Sequence, residues 1–493
     1  MQKSAEAIVA DLGGEGRNQP NKRGERNRMV RKRKKRDVEG QLSFDFSGSL
    51  TVGGGEVECR DTTVQGSQKT MKRRQGPELR ENLMEAVADV GNLVRAWKRV
   101  KSNKGSCGTD GETVKTFDER AWSHICEIRK ELLGDEYKPT AVRGVKIPKP
   151  SGGSRQLGIP TVKDRIVQQA LAQILMPRYE RVFSESSYGF RPNRSAHDAL
   201  RRGSAYVEEG RTTVVDLDLE KFFDKVNHDR LMARLARDIG DGRVLRLILC
   251  FLKAGLMQNG VCQRREEGTP QGGPLSPLLA NIVLDELDKE LERRGHCFCR
   301  YADDCNIYVR SQKAGERVMR SITQFITRRL RLKVNTQKSK VAQSWECTFL
   351  GYTIGMTGRL YISNKSKSRV REKLKVLTKR NRGRKLEIVI GELNQFLRGW
   401  LEYYKLAAAK GWLCETEGWL RRRLRCYRLK QCKRRLGIAR FLISRGCAEY
   451  WAWMLAMSSK GWYRLAVSPQ AHDAMNVKWF REMGLIPLVL PID

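Results

Sequence analysis

The stretch Cys299 to Val309, CRYADDCNIYV, constrains this chain more than any other. Two adjacent acids, Asp303 and Asp304, follow Tyr301 and precede Ile307, Tyr308 and Val309. Aromatic and β-branched flanks around a short polar centre predict a hairpin with an acidic tip. Two carboxylates held that close repel each other and raise one pKa, so the arrangement is favourable chiefly when a hard cation such as Mg²⁺ sits against them. An exposed acidic turn would have the same four residues, YADD, so the choice rests on a third carboxylate elsewhere.

TTVVDLDLEKFFDKVNHDRL supplies one. Its Val-rich start, residues 212–215, fits a buried strand, and a period of two puts Asp216 and Asp218 on one face. Carboxylates at the end of a buried strand are costly without a cation. About 85 residues separate this segment from YADD, so the two meet only as neighbouring strands of one sheet.

The remaining segments supply parts around those acids. YKPTAVRGVKIPKPSGGSRQLGIP predicts a hairpin with Lys149 and Arg155 on its two arms, cations that would suit a triphosphate but that two solvated surface charges would match equally well. Residues 161–183 predict an amphipathic helix, and Arg191 and Arg194 precede another. GTPQGGPLSPLLANIVLDELD is a Gly/Pro loop with Gln271, whose glycines admit a ligand or template close to the backbone, followed by a helix from about Ser276. A helix over 314–332, a basic strand-turn with Lys338 and a strand at 349–355 complete a split α+β order.

Composition points the same way. Lys and Arg number 95 against 56 Asp and Glu, a formal +39, of which residues 1–76, with 17 basic and 10 acidic, carry only +7. The charge therefore belongs to the folded body, and such a surface attracts a polyanion, most commonly nucleic acid. No apolar run near 18 residues and no signal with a hydrophobic centre occurs, so a soluble, cytoplasmic protein with no membrane partner is expected. The 13 cysteines include no CxxC pair and read as reduced thiols. Residues 1–76, with the run Arg31 to Arg36, are expected to be disordered. Residues 421–440 hold ten Lys or Arg and no acid beside an apolar stripe of Trp419, Leu420, Leu424, Leu429 and Leu436, which predicts a helix with one wet cationic face suited to a duplex backbone. The tail from 447 interleaves Trp451, Trp462, Tyr463, Trp479 and Phe480 with Lys and Arg, fit either for stacking on bases or for a small core.

With these parts in place the chain resembles the bacterial group II intron reverse transcriptase and maturase family, from about residue 80 to its end. IPKPSGGSRQLGIPTVKDRIVQQA, SSYGFRPNRSAHDA, VVDLDLEKFFDKVNHD, GTPQGGPLSPLLANIVLDELD, RYADDCNIYV, LKVNTQKSKV, FLGY and RGWLEYYKL carry the resemblance in the family's order. It implies a right-handed polymerase of fingers, palm and thumb, in the compact subclass without the His-Asn-His endonuclease. The implied division is a disordered basic tail (1–76), an N-terminal extension and start of the fingers (77–140), fingers and palm (141–362), a helical thumb or maturase domain (363–446) and a short DNA-binding region (447–493). Asp218, Asp303 and Asp304 match the catalytic, metal-binding triad, with two Mg²⁺ ions as cofactor. Lys149, Arg155 and Gln271 match contacts to the incoming nucleotide. Phe223 matches the ring that would collide with a 2′-hydroxyl, and Lys338 a basic residue near the pyrophosphate. Asp216 is the internal alternative to Asp218, and Phe222 to Phe223.

The partners implied are a group II intron RNA, an RNA template–DNA primer hybrid, target DNA and dNTPs. The implied activity is RNA-directed DNA synthesis together with help in splicing and mobility of the intron. Alternatives are an RNA-copying RNA polymerase, a reverse transcriptase of the retron or diversity-generating lineages, and a non-catalytic RNA-binding splicing factor.

Overall fold

The structure, a computed structural model, describes residues 82–148, 153–258, 261–263, 265–269 and 271–489. The tail 1–76 and Lys149 lie outside the described residues. The fold is α+β, and the chain divides between Gln343 and Ser344 into two compact units. Among the described residues no helix is long and apolar enough to cross a membrane.

In the first unit Leu83, Val87, Val90, Val94 and Trp97 recur at helical spacings of three and four, yet they fall in two helices, Leu83–Ala88 and α1 (Val90–Ser102). Asp89 makes the break: its backbone is extended at ψ 134° and its carboxylate accepts the Asn92 amide, capping a new helix. A hairpin, β1 (Val142–Pro148) and β2 (Ser154–Ile159), pairs Ile147 with Arg155. The next helix, α2 (Val162–Glu180), is not amphipathic as expected: Asp164, Arg165 and Gln168 are buried along with its apolar residues. Two of these polar positions are interior because they find partners: the Arg165 guanidinium donates to the Ser106 carbonyl at 2.6 Å. Asp164 accepts from the hydroxyls of Tyr137 (2.8 Å), Thr140 (2.5 Å) and Thr161 (2.7 Å), although burial still pushes its carboxyl above the usual range.

Helix α3 (Ala196–Glu208) precedes β3 (Thr213–Leu217), which runs into the short helix α4 (Phe222–Lys225). β4 (Leu256–Gln258) and β5 (Val261–Gln263) join the first hairpin in a sheet of order β2-β1-β4-β5. Then come α5 (Ser276–Arg293), starting where the sequence places it, β6 (Cys297–Tyr301), β7 (Asp304–Val309), α6 (Gln312–Phe325) and β8 (Lys340–Gln343). Strands β6-β7-β3-β8 form the second sheet. The helix expected over 314–332 ends as an α-helix at Phe325 and continues as a π-helical turn, Ile326–Leu330, closed by Arg331 at φ 53°.

The two faces of this second sheet differ by the alternation of strand side chains. Gly315 of α6 lies over Val215, Val309 and Val341, so α6 covers the apolar face. The opposite face carries Val214 and Tyr308, then Asp216 and Asn306, and toward the strand ends Asp304. Helix α3 covers its far end, where the Tyr206 and Tyr308 rings are 5.4 Å apart.

The second unit holds the hairpin of β9 (Tyr352–Ile354) and β10 (Leu360–Ile362), then the helices α7 (Leu386–Tyr403) and α8 (Lys410–Gln431). Residues 421–440 are not one helix, because Lys433 turns left-handed at φ 57° and a separate helix, Arg435–Ser444, follows. Leu420, Leu424 and Leu429 are buried, whereas Leu436, beyond the break, is 44% exposed. Nor do all ten cations face water. Arg425 is buried and donates to the carbonyls of Ala466 (3.1 Å) and Met475 (3.2 Å), which makes it a structural tie. In the tail Trp479 and Phe480 are core residues, while Trp451 and Tyr463 are about half exposed.

Candidate active site

The register of the second sheet assembles a row of charged side chains. β3 and β7 pair Asp216 with Asn306 and Leu217 with Cys305, β3 and β8 pair Asp216 with Lys340, and β6 and β7 pair Tyr301 with Asp304. Extended past their last pairs, Leu217 with Cys305 and Asp216 with Lys340, the two registers bring Asp218 opposite Asp304 on one side and Lys338 on the other. The Lys338 Nζ is 3.1 Å from Asp218 Oδ2, an exposed ion pair, and the Asp218 amide donates to Ser339 Oγ at 3.0 Å. Asp303 occupies the turn before Asp304. Tyr301, Asp304, Asp218 and Lys338 thus stand side by side at one edge of four strands.

The hairpin that carries the acids is held from behind. Only Ala302 and Asp303 separate the paired residues Tyr301 and Asp304, and Ala302 has φ 58°, the positive first position of a primed turn where glycine is usual. Such strain persists only if the surroundings impose it. Arg300, fully buried, does so: Nη1 donates to the Ala302 carbonyl (2.9 Å) and to Asn281 Oδ1 (3.0 Å), and Nη2 to Ser187 Oγ (2.7 Å). The same guanidinium forks onto buried Asp288, at 2.6 Å from Nε and 2.5 Å from Nη2. Gly189 closes the cradle, since a Cβ there would stand 2.3 Å from the Ala302 nitrogen. Gly189→Ala is expected to cost about 1–3 kcal/mol by overpacking and to lower turnover through a displaced turn. A variant with unchanged thermal midpoint and unchanged primer extension would refute this.

Asp216 lies one row inward. Burial pushes its carboxyl up to about 6, with Lys340 pulling it back down and Asp218 adding to the rise. Among the described residues no three His, Cys, Asp or Glu side chains form a group that could hold a metal ion. Mg²⁺ does not require such a cage, because it is commonly bound by one or two carboxylates together with substrate phosphates. The two carboxylates of the row, Asp218 and Asp304, offer oxygen donors at an open strand end and fit a hard cation of that kind.

A second chain of contacts joins two other residues singled out in the sequence, Arg155 and Gln271, to Asp224. Arg155 Nε donates to Gln271 Oε1 at 2.7 Å, and Gln271 Nε2 to Asp224 Oδ1 at 3.4 Å. Asp224 directly follows Phe223, which is buried at 9% exposure against Phe222, the ring centroids 5.1 Å apart. The Gln271 carbonyl accepts the Gly158 amide at 2.8 Å. Gly272, at φ 129°, is needed because a Cβ would come 2.7 Å from the Gly158 carbonyl. These glycines therefore let the loop close on β2 and α2, a packing reason for residues the sequence suggested were kept small for a ligand. Asp224 and Arg300 escaped the sequence reading. Asp224 could have been found from its place directly after the phenylalanines, whereas Arg300 gives no local signal.

Residues 147–354 match the family described as reverse transcriptase (RNA-dependent DNA polymerase), and residues 367–442 match the group II intron, maturase-specific domain. Protein YkfC of Escherichia coli (strain K12) is 33% identical over 306 residues, 54% of this chain and 80% of YkfC. Group II intron-encoded protein LtrA of Lactococcus lactis subsp. cremoris is 40% identical over 201 residues, 39% of this chain and 32% of LtrA. The chain thus spans four fifths of the first relative and about a third of the second. Among solved structures, a partial Cas6-RT-Cas1–Cas2 complex is 26% identical, covering 50% of this chain and 43% of that one, with a TM-score of 0.34, too little overlap to weigh.

Proposed function

We propose, for a chain that belongs to the group II intron-encoded reverse transcriptase/maturase family, that it copies its intron RNA into DNA and also assists splicing and mobility of that intron. The observation that carries the reading is the row Tyr301, Asp304, Asp218 and Lys338 at the strand ends. Asp218, Asp303 and Asp304 would hold the divalent ions, which when bound activate the primer hydroxyl and stabilise the leaving pyrophosphate. Lys338 is placed to neutralise charge on the departing phosphates, with Asp218 fixing its position. Arg155 and Gln271, linked to Asp224, orient the incoming dNTP, and Lys149 is assigned with them from the motif alone. The fingers and palm are assigned to 141–362, the thumb to 363–446 and a DNA-binding region to 447–493. The matched segments fall within the first two spans. The maturase-specific match also speaks against the retron and diversity-generating lineages.

Primer extension on an RNA template with dNTPs and Mg²⁺ tests the reading, and absence of incorporation would overturn it. The same assay addresses Phe223. Its carbonyl accepts the Thr269 amide at 2.6 Å, which fixes the backbone, and its side chain is less deeply buried than that of Phe222, at 9% against 2% exposure. Phe223→Ala is expected to cut discrimination between dATP and ATP by roughly tenfold or more, with a stability loss of about 3 kcal/mol from the emptied site. Because discrimination is a ratio within one preparation, the stability loss does not affect it. Phe222→Ala, deeper in the core, should leave the ratio unchanged, and the opposite pattern would move the gate to Phe222.

A further inference from the structure

From the outer surface of α6 we infer that the protein has a second RNA-binding face, on the side of the second sheet away from the acids. Between residues 305 and 345 the chain has ten Lys or Arg and one acid, Glu316. Lys313, Arg317, Arg320 and Arg328 follow at spacings of four, three and eight, so they line one side of α6 and its π-helical extension, and all are exposed. The stripe runs roughly 20 Å by the rise of a helix. Glu316 is engaged by Gln312 at 3.2 Å, and among the described residues none of the four cations enters an ion pair within 4.0 Å. Neighbouring α5 differs: Lys289 pairs with Asp285, and Arg293 and Arg294 with Glu290. A merely solvated face mixes both signs, as α5 does and α6 does not.

The π-helical turn is a second observation. Such turns are rare and frequent at functional sites. Here Ile326 and Leu330 stay buried while Thr327, Arg328 and Arg329 are all presented to solvent, which sets Arg329 beside Arg328 at the end of the stripe.

The occupant is a structured RNA. An interfacial membrane helix would need large apolar residues beside its cations, and a protein interface an apolar or aromatic centre. Among the described residues, however, no large hydrophobic is exposed between Val261 and Trp345. Guanidinium groups in a row suit successive phosphates, which they can grip with two hydrogen bonds each. Because α6 rests on Val215, Val309 and Val341 and the acids stand on the other face, a duplex lying across the acids leaves this stripe free. A folded intron RNA could be held there during copying, an assignment that rests on reading the acid row as the polymerase centre.

The test uses the full chain, wild type and Arg317→Ala/Arg320→Ala/Arg328→Ala, with a fully paired RNA hairpin as probe. Binding is titrated against salt, with and without a chain-terminated RNA–DNA hybrid preloaded. The triple variant should bind the hairpin at least tenfold more weakly and its log K versus log salt slope should fall by roughly 3, in both states, while extension of a short unstructured template stays within twofold. The matching Arg→Lys variant should keep the slope. Equal hairpin binding by wild type and triple variant would overturn the inference, as would a DNA hairpin bound as tightly as RNA, or an equal loss in the Lys variant. If the wild type does not extend primers, the polymerase reading fails, and the salt slopes on unloaded protein still decide whether the face binds RNA.

Discussion

Arg300→Met is expected to lower stability by about 3–5 kcal/mol and to remove most primer extension. Arg300 and Asp288 are both at 0% exposure, so removing the guanidinium leaves a carboxylate in the interior with its cation gone. Three further acceptors, on Asn281, Ala302 and Ser187, lose their donor at the same time. A shift in thermal midpoint and in urea midpoint would measure the loss. The double variant Arg300→Met/Asp288→Leu separates the two roles, because replacing a buried ion pair by apolar groups of similar size is often close to neutral. It should recover a large part of the stability but not of the activity, since the Ala302 carbonyl would still lack the donor that holds its turn. A single variant as stable as the wild type would show that the pair does not anchor the acidic hairpin.

What could be read in advance and what could not follows from where the information lies. The hairpin around YADD, the strand before Asp218 and the start of α5 at Ser276 each depend on local alternation, turn residues or a Gly/Pro stop. The break at Asp89 has no signal in the apolar pattern, because the spacing of three and four continues across it and only the capping carboxylate interrupts the helix. Residues such as Arg300, Asp288 and Arg425 look like surface charges in sequence, and nothing local says that each will be enclosed by partners many residues away. The same limit applies to α2, whose polar positions read as a wet face until Tyr137 and Thr140 are folded against Asp164. In the site itself, residue types were legible but the link from Arg155 to Gln271 to Asp224 was not, since its members are 116 and 47 residues apart.

Asp218→Ala and Asp304→Ala are each expected to cut nucleotide incorporation by roughly 10³-fold, the equivalent of about 4 kcal/mol at the transition state. Stability should move far less. Asp218 meets Lys338 in an exposed pair, which is worth about 0–1 kcal/mol, so its removal leaves the fold nearly as it was. Asp303→Ala, at the turn, should likewise abolish incorporation while RNA affinity stays within about twofold, because the basic surface that governs binding is untouched. Asp216→Asn is the discriminating control. It keeps the shape of a part-buried side chain whose carboxyl is already pushed up to about 6, and it faces Asn306 and Lys340 one row inside the strand end. Single-turnover extension should therefore survive in Asp216→Asn within about tenfold and disappear in Asp218→Ala. The reverse result would move the metal-holding carboxylate inward by one row and leave Lys338 paired with an acid that takes no part in the reaction.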